Sequence, residues 1–276
     1  MESKELVASK KKKTINMMRL NILIIIFLLV FQSTFSQVNK DVKSTTSSDT
    51  IRALSFDPTF FVLGTLSDYT GRFQYVDREK QVDRYYPFEK PLVNYLTKYI
   101  NTELNIAVDT IFEKSNHCKM FSDELSNALN SFYGVKDELL NNKYETKKQI
   151  YSFLAGVYCR YGDKLDSSIY KIQLANSPKH QNCYEFLKQI GCENIFFQYL
   201  RNIPAQFILY FEPTDELKRY LDSIEFERVI LNKSFNNQIV EMMQEHMTKK
   251  EKEEMDEALQ KSRNGEIEKI KNAFKR

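Results

Sequence analysis

Four cysteines, Cys118, Cys159, Cys183 and Cys192, come nearest to a chemical pattern in this 276-residue chain. An even number of cysteines in an exported chain predicts two disulfide bonds, for which three connectivities exist. If three helices near 91–161 alternate in direction, Cys118 follows the first and Cys159 lies near the end of the third, at the same pole. This topology favours a Cys118–Cys159 bond and leaves the other two cysteines to pair.

The second pair is harder to bridge. Cys183 lies within a helix that is predicted to open at Ser177-Pro178, and its part from Cys183 to Ile190 alone rises about 10 Å at 1.5 Å per residue. Bridged Cα atoms lie roughly 4.4–6.8 Å apart, so Cys192 would have to fold back towards the helix. The alternative is that the cysteines are free, buried thiols.

Histidines lie close to two of these cysteines in sequence. His117 precedes Cys118, and His180 lies one helical turn before Cys183, so the latter pair could supply two zinc ligands. The chain has no Cys-x-x-Cys and no His-x₃-His, and adjacent residues such as His117 and Cys118 point apart in regular structure. The pattern therefore predicts no metal site.

Candidate catalytic groups can be named, but no sequence motif supports them. Cys159 could act as a nucleophile with His180 or His246 as its base. A chain with three histidines allows many such combinations, so this one carries little weight. Glu212 and Asp215 could act as an acid–base pair, but Glu-Pro-Thr-Asp-Glu is typical of a helix N-terminus. No nucleophile elbow, zinc helix or phosphate loop is present. We predict no catalytic residue and no cofactor.

The first residues resemble a secretory signal peptide. Basic residues at 10–13 and Arg19 precede the apolar run 20–31, which is shorter than the roughly 20 residues of a membrane span. A polar segment ending at Ser36 follows, so we predict cleavage there and a periplasmic or extracellular protein. An uncleaved segment would hold the protein at the membrane, and translation could instead start at Met17 or Met18.

The charge of the remaining chain is close to neutral. Residues 1–36 hold six of the 40 basic and two of the 37 acidic residues, which leaves 34 and 35. This balance argues against a nucleic-acid partner. The many aromatic residues (20 Phe and 16 Tyr) are explained by core packing and compositional bias.

In the N-terminal half, alternation predicts a β-hairpin from Thr59–Leu66 and Arg72–Val76. From Pro91 the apolar residues recur at steps of three and four, which predicts one helix over 91–115. Further helices are predicted over 122–142 and 146–161, with Ser122 as an N-cap in the first.

In the C-terminal half, strands are predicted at 170–174 and 207–211, each followed by a helix, which suggests a βα unit with parallel strands. Residues 195–200 fit helix and strand equally. From Asn236 the chain is charged and helix-prone, with a break expected at Gly265. We find no internal repeat in the sequence.

Together these observations predict an α+β fold that is predominantly helical. The expected divisions are a signal peptide (1–36), a flexible leader (37–55), a mixed globular domain (56–235) and a charged C-terminal helical segment (236–276). The predicted function is an exported, non-enzymatic binding or envelope-associated protein, with the C-terminal helix as a contact for a partner protein. The alternative is a secreted hydrolase that acts on envelope or extracellular polymer.

Overall fold

The computed structural model describes residues 54–275 apart from 70, 73, 74, 76, 114–116, 245 and 246, and only the backbone of 235–244. The predicted signal peptide and cleavage site lie outside the described residues. Helices and two antiparallel sheets alternate along the described chain, which confirms the predicted α+β class. None of the described helices is both long and apolar enough to cross a bilayer.

The described chain contains two structural repeats that the sequence did not reveal. Repeat 1 consists of α1 (Pro58–Thr65), β1 (Gln81–Tyr85), α2 (Lys90–Leu104), β2 (Asp109–Phe112), β3 (Cys118–Phe121) and α3 (Asp123–Asn130). Repeat 2 consists of α4 (Lys147–Tyr161), β4 (Gly162–Lys164), β5 (Tyr170–Ala175), α5 (Lys179–Gln189), β6 (Ile195–Leu200), β7 (Gln206–Phe211) and α6 (Asp215–Ser223). Two further helices follow, α7 (Glu225–Gln244) and α8 (Lys249–Phe274).

The two sheets have the same topology. In repeat 1 the strand order is β1-β3-β2, and in repeat 2 it is β4-β5-β7-β6, so that β4 is the additional strand. All the pairings are antiparallel. The expectation of no internal repeat is therefore wrong at the level of structure, because the order of elements is repeated while the side chains have diverged.

The leading helices of the repeats, α1 and α4, pack side by side and run parallel. Near their starts, the backbone N–H of Asp57 donates to Ser152 Oγ at 2.8 Å. Near their ends, Arg160 Nη1 donates to the carbonyl of Thr65 at 2.8 Å. Both contacts join residues 95 positions apart, so the two C-termini lie together at the junction of the repeats.

Helix α1 replaces the first strand of the predicted hairpin at Thr59–Leu66. Asp57 accepts a hydrogen bond from the first turn, and Pro58 occupies the first helical position, where its missing N–H costs nothing. A short apolar run cannot be assigned from periodicity when all its faces are buried. Here several elements bury the helix: Gly64 lies directly against Gly156 of α4, and the ring of Phe61 contacts that of Tyr99 in the helix Lys90–Leu104. The second predicted strand falls largely outside the described residues.

Helix α2 ends earlier than the predicted 91–115. Asn105 adopts a left-handed conformation (φ 55°), which stops the helix after Leu104. The apolar residues at 109–112 continue the periodic pattern by coincidence and form strand β2 instead.

Side-chain caps begin three other helices, and that of Ser122 was predicted from the sequence; the helix predicted over 122–142 starts as expected but ends at Asn130. The side-chain oxygens of Ser122, Thr146 and Thr214 accept hydrogen bonds from the first turns of α3, α4 and α6. These hydroxyls satisfy backbone donors that lack intrahelical partners.

The predicted strands at 170–174 and 207–211 are confirmed as β5 and β7, and the unassigned residues 195–200 form β6. The expected parallel arrangement is wrong, because β5 and β7 pair antiparallel. The break expected at Gly265 is also absent, since α8 continues through this position to Phe274.

Most buried apolar side chains form one core around α1, α4 and the inner faces of the two sheets. A second, smaller cluster lies between the other face of repeat 2's sheet and α8, and it consists of Leu165, Ile169, Ile208, Tyr210 and Ile270. Helix α8 therefore covers part of a sheet face whose counterpart in repeat 1 is open. The division into domains made from the sequence remains a prediction.

Candidate functional site

All four cysteines are free and buried, so the predicted disulfide bonds are wrong. The pairing of Cys118 with Cys159 assumed that a helix ends just before Cys118, but this residue lies within strand β3. Cys183 and Cys192 remain apart because α5 separates them, as the helical rise implied. Burial raises the pKa of Cys159 and of Cys183 to about 12, which leaves both as unreactive thiols.

The other chemical candidates do not form a site. His180 stacks on Phe207 with ring centroids 3.7 Å apart, and its Nδ1 lies 2.8 Å from the carbonyl oxygen of Ser177. Among the described residues no three His, Cys, Asp or Glu side chains come close enough to hold a metal. Glu212 accepts a hydrogen bond from Asn194 Nδ2 at 2.6 Å. His246 lies outside the described residues.

The charged groups that the structure does assemble were missed by the sequence reasoning. Arg160, at the C-terminal end of α4, donates to Glu89 Oε1 at 2.7 Å and also pairs with Asp83. All three side chains are buried. One guanidinium can hydrogen-bond to two carboxylates in this way because its five donors are fixed in a plane, while its single charge balances only one of the two. The signal in the sequence was an arginine within an apolar helical run.

A second buried cation lies at the end of α1. Lys179 Nζ lies 3.1 Å from Asp68 Oδ2 and donates to the carbonyls of Leu63, Gly64 and Leu66 at 2.6–3.2 Å. The last carbonyls of a helix have no following turn to donate to them, although that of Leu63 also accepts from the N–H of Leu66 at 3.4 Å, and the negative end of the helix dipole favours a cation there. Each buried acid at the junction of the repeats is thus engaged by an internal cation.

A cavity of about 240 Å³ lies beside this junction. Its walls come from the segment after β1 (Tyr86 and Phe88), the end of α4 (Tyr161), strands β5 and β7, and α7. Burial holds the pKa of Tyr161 well above its ordinary value, so its hydroxyl keeps its proton.

The open face of repeat 1's sheet carries basic and apolar side chains in a row across its strands. Arg84 of β1 lies opposite Lys119 of β3, which in turn lies opposite Ile111 of β2. Directly paired residues share one face of a sheet. Arg84 and Ile111 are exposed, and Lys119 is partly exposed, so this face is open to solvent among the described residues.

Aromatic rings continue this face towards the cavity. Tyr86 is 54% exposed and stacks on Phe88 with an interplanar angle of 3° and centroids 5.6 Å apart. The ring centroid of His117, the residue directly before β3, lies 5.6 Å from that of Tyr86. We call the set Arg84, Tyr86, Phe88, His117 and Lys119 the aromatic–basic face.

The sequence matches no family model and no curated protein. The fold is similar in part to solved structures. The structure of I-DmoI in complex with DNA and Ca has 13% identity and a TM-score of 0.40, and the match covers 60% of this chain and 88% of that one. The N-terminal LAGLIDADG domain of WhiA has 14% identity and a TM-score of 0.40, with 63% and 84% covered.

A third similar structure is full-length WhiA from Thermatoga maritima, with 15% identity, a TM-score of 0.38 and 70% of each chain covered. At these values the similarities assign neither a family nor an activity to this chain. The predictions of an exported binding or envelope-associated protein, of a secreted hydrolase as its alternative, of a periplasmic or extracellular location and of no nucleic-acid partner find no counterpart among these structures, of which that of I-DmoI contains DNA. These predictions are withdrawn.

The argument against nucleic acid also has an identifiable physical error. A net charge near zero describes the whole chain and does not say how charge is distributed over one face. Arg84 and Lys119 are 35 residues apart in sequence, and only the pairing of β1 with β3 brings them together.

Proposed function

We propose that this protein binds single-stranded nucleic acid on the aromatic–basic face. The observation that carries the proposal is the exposed Tyr86 ring, stacked on Phe88 and flanked by the cations Arg84 and Lys119. Proteins that bind single strands combine stacking platforms for bases with cations that follow the backbone. Stacking on Tyr86 requires an unstacked base, so single strands are favoured over duplexes.

The charge on this face predicts a modest contribution from phosphate contacts. Glu113 pairs with Lys119 at 2.6 Å, and this contact lowers the pKa of Glu113. A phosphate must therefore compete with Glu113 for Lys119, while Arg84 is exposed. With two phosphate contacts, the logarithm of affinity should fall with the logarithm of salt concentration with a slope of about −1.4.

The geometry supports binding and gives no support for strand cleavage. The buried acids at the junction, Asp68, Asp83 and Glu89, are engaged by Lys179 and Arg160. A carboxylate that accepts from a buried guanidinium or ammonium has fewer free lone pairs for a metal or a water nucleophile.

The test is fluorescence anisotropy of labelled single-stranded DNA and RNA, and of a duplex of the same sequence, over a series of salt concentrations. Tyr86→Ala should weaken single-strand binding about 5- to 150-fold, the range for one lost base stack. Arg84→Gln should weaken binding less and make the salt slope shallower by about 0.7.

A matched control exists on α5, where Lys188 Nζ lies 5.5 Å from the ring centroid of the partly exposed Tyr184. Tyr184→Ala and Lys188→Gln should leave binding unchanged. Absence of single-strand binding in the wild type, equal losses in both sets of variants, or a preference for the duplex would contradict the proposal.

A further inference from the structure

The cavity beside the aromatic–basic face shares Tyr86 and Phe88 with it. Tyr86 therefore belongs both to the exposed face and to the wall of the cavity. A base stacked on Tyr86 would therefore touch a residue of the cavity wall. The volume of about 240 Å³ is below the roughly 300–1,000 Å³ of pockets for drug-sized ligands, so it suits a ligand of one or two rings.

One wall of this cavity is built from amide side chains on neighbouring strands. Gln173 of β5 and Gln206 of β7 line it, and Gln173 Nε2 donates to Gln206 Oε1 at 3.4 Å. Gln206 Nε2 also donates to the carbonyl of Pro204 at 3.4 Å, and because both bonds are long, a ligand with its own donors and acceptors can compete for these amides. Both glutamines are partly exposed.

The formal charges of the residues that line the cavity sum to zero. The lining cations are Arg160 and Lys171, and the lining acids are Glu89 and Asp163. Arg160 is paired with Glu89, and Lys171 Nζ lies 3.0 Å from Glu266 of α8. A phosphate placed here would find no excess positive charge, which favours a neutral ligand that carries donors and acceptors.

We propose that the cavity receives one unstacked nucleobase of the strand bound on the aromatic–basic face. This inference rests on the proposed function and adds the element that would give it base preference. A planar neutral base matches the stacking edge formed by Tyr86 and Phe88, and its donor–acceptor edge matches the amides of Gln173 and Gln206.

The test compares single strands of one base type (A, C, G or T) with a strand of equal length that has only abasic sites, all at one salt concentration. The wild type should prefer one base type over the least favoured by about tenfold. The double variant Gln173→Leu/Gln206→Leu should lose this preference while it binds the abasic strand as the wild type does.

A second variant fills the same space without removing an amide. Ala175 is a partly exposed lining residue at the end of β5, and Ala175→Leu should also abolish the base preference. The matched control is Gln181→Leu on an exposed position of α5, which should retain it. Circular dichroism and thermal unfolding establish that each variant is folded.

The outcomes separate this inference from the proposed function. Wild-type binding to all strands with no base preference, or a preference that survives in both folded cavity variants, overturns the inference and leaves the proposed function standing. Absence of binding to every strand overturns both.

Discussion

Gly64 of α1 and Gly156 of α4 lie against each other where the two leading helices cross. A Cβ atom built on Gly64 would collide with the carbonyl oxygen of Phe153, and one built on Gly156 would collide with that of Phe61. The two collisions are reciprocal, as expected if the glycines occupy equivalent positions in the two repeats. The closeness of these helices therefore depends on the absence of a side chain at both positions.

We expect Gly64→Ala or Gly156→Ala to destabilise the protein by about 1–3 kcal/mol or more, because overpacking a well-filled contact costs this much. Each alanine improves helix propensity by about 1 kcal/mol, but the obstacle is backbone, which cannot rotate away. Urea unfolding followed by circular dichroism measures the difference.

Gly265 provides the matched control for these variants. It lies within α8, and a Cβ atom added there meets nothing within 4 Å. Gly265→Ala should stabilise the protein by up to about 1 kcal/mol. Equal effects of alanine at positions 64, 156 and 265 would show that α1 and α4 are not in close contact.

The sequence predicted those elements whose signals are local. Ser122 marked a helix start because a side-chain cap acts within one turn. Helix α1 was missed because elements distant in sequence bury it, among them α4 and α2, where Tyr99 contacts Phe61. Its local signal, Asp57 before Pro58, was available and was outweighed by the apolar run.

The candidate site could not be predicted from the sequence, for a similar reason. Arg84, Tyr86 and His117 become neighbours through the pairing of β1 with β3. The register of that pairing depends on which faces are buried, a property of the whole fold. Ion pairs between distant residues, such as Arg160 with Glu89, follow from the same long-range packing.

A substitution at Lys179 tests how far the stability of the fold depends on its buried charges. Its side chain is fully buried, and it engages both Asp68 and three carbonyls at the end of α1. We expect Lys179→Met to destabilise the protein by about 3–5 kcal/mol, because it leaves Asp68 as an uncompensated buried charge. Chemical unfolding measures this loss.

Lys188→Met on the same helix is the control, since Lys188 is exposed. Adding Asp68→Asn to Lys179→Met should recover part of the loss, because the uncompensated charge is then removed. A Lys179→Met variant as stable as the Lys188→Met variant would mean that Lys179 does not hold the end of α1.

The buried thiols predict a loss of stability at alkaline pH. The pKa of Cys159 and of Cys183 is raised from 9.0 to about 12 in the folded protein because burial disfavours the thiolate. Their contribution to stability is fully present below pH 9 and is lost between pH 9 and 12, where the unfolded chain ionises first. The free energy of unfolding should fall by about 2–3 kcal/mol between pH 8 and 10 from these two thiols.

Cys159→Ala/Cys183→Ala should reduce this alkaline loss, although buried tyrosines with raised pKa values will contribute to it as well. Labelling with a thiol reagent at pH 8 should be slow in the native protein and should modify four cysteines after unfolding without a reductant. Unfolded protein that requires a reductant before it can be labelled would show that disulfides exist after all.

The lowered pKa of His180 predicts that the stability of the protein also depends on pH in the acidic range. Partial burial lowers its pKa below 6.5, while its Nδ1 contact with the Ser177 carbonyl opposes the shift and has the smaller effect. The unfolded chain therefore takes up a proton first as the pH falls. The stability contributed by neutral His180 is present above pH 6.5 and is lost as the pH drops through the lower folded value.

Nuclear magnetic resonance titration of the His180 ring in the folded protein should give a pKa below 6.5. The free energy of unfolding should decline between pH 7 and 5 in the wild type, and less steeply in His180→Phe, which keeps an aromatic ring over Phe207. A folded-state pKa above 6.5 would mean that the protonated ring is favoured in its stack on Phe207. The stability would then rise on acidification, which is the opposite sign.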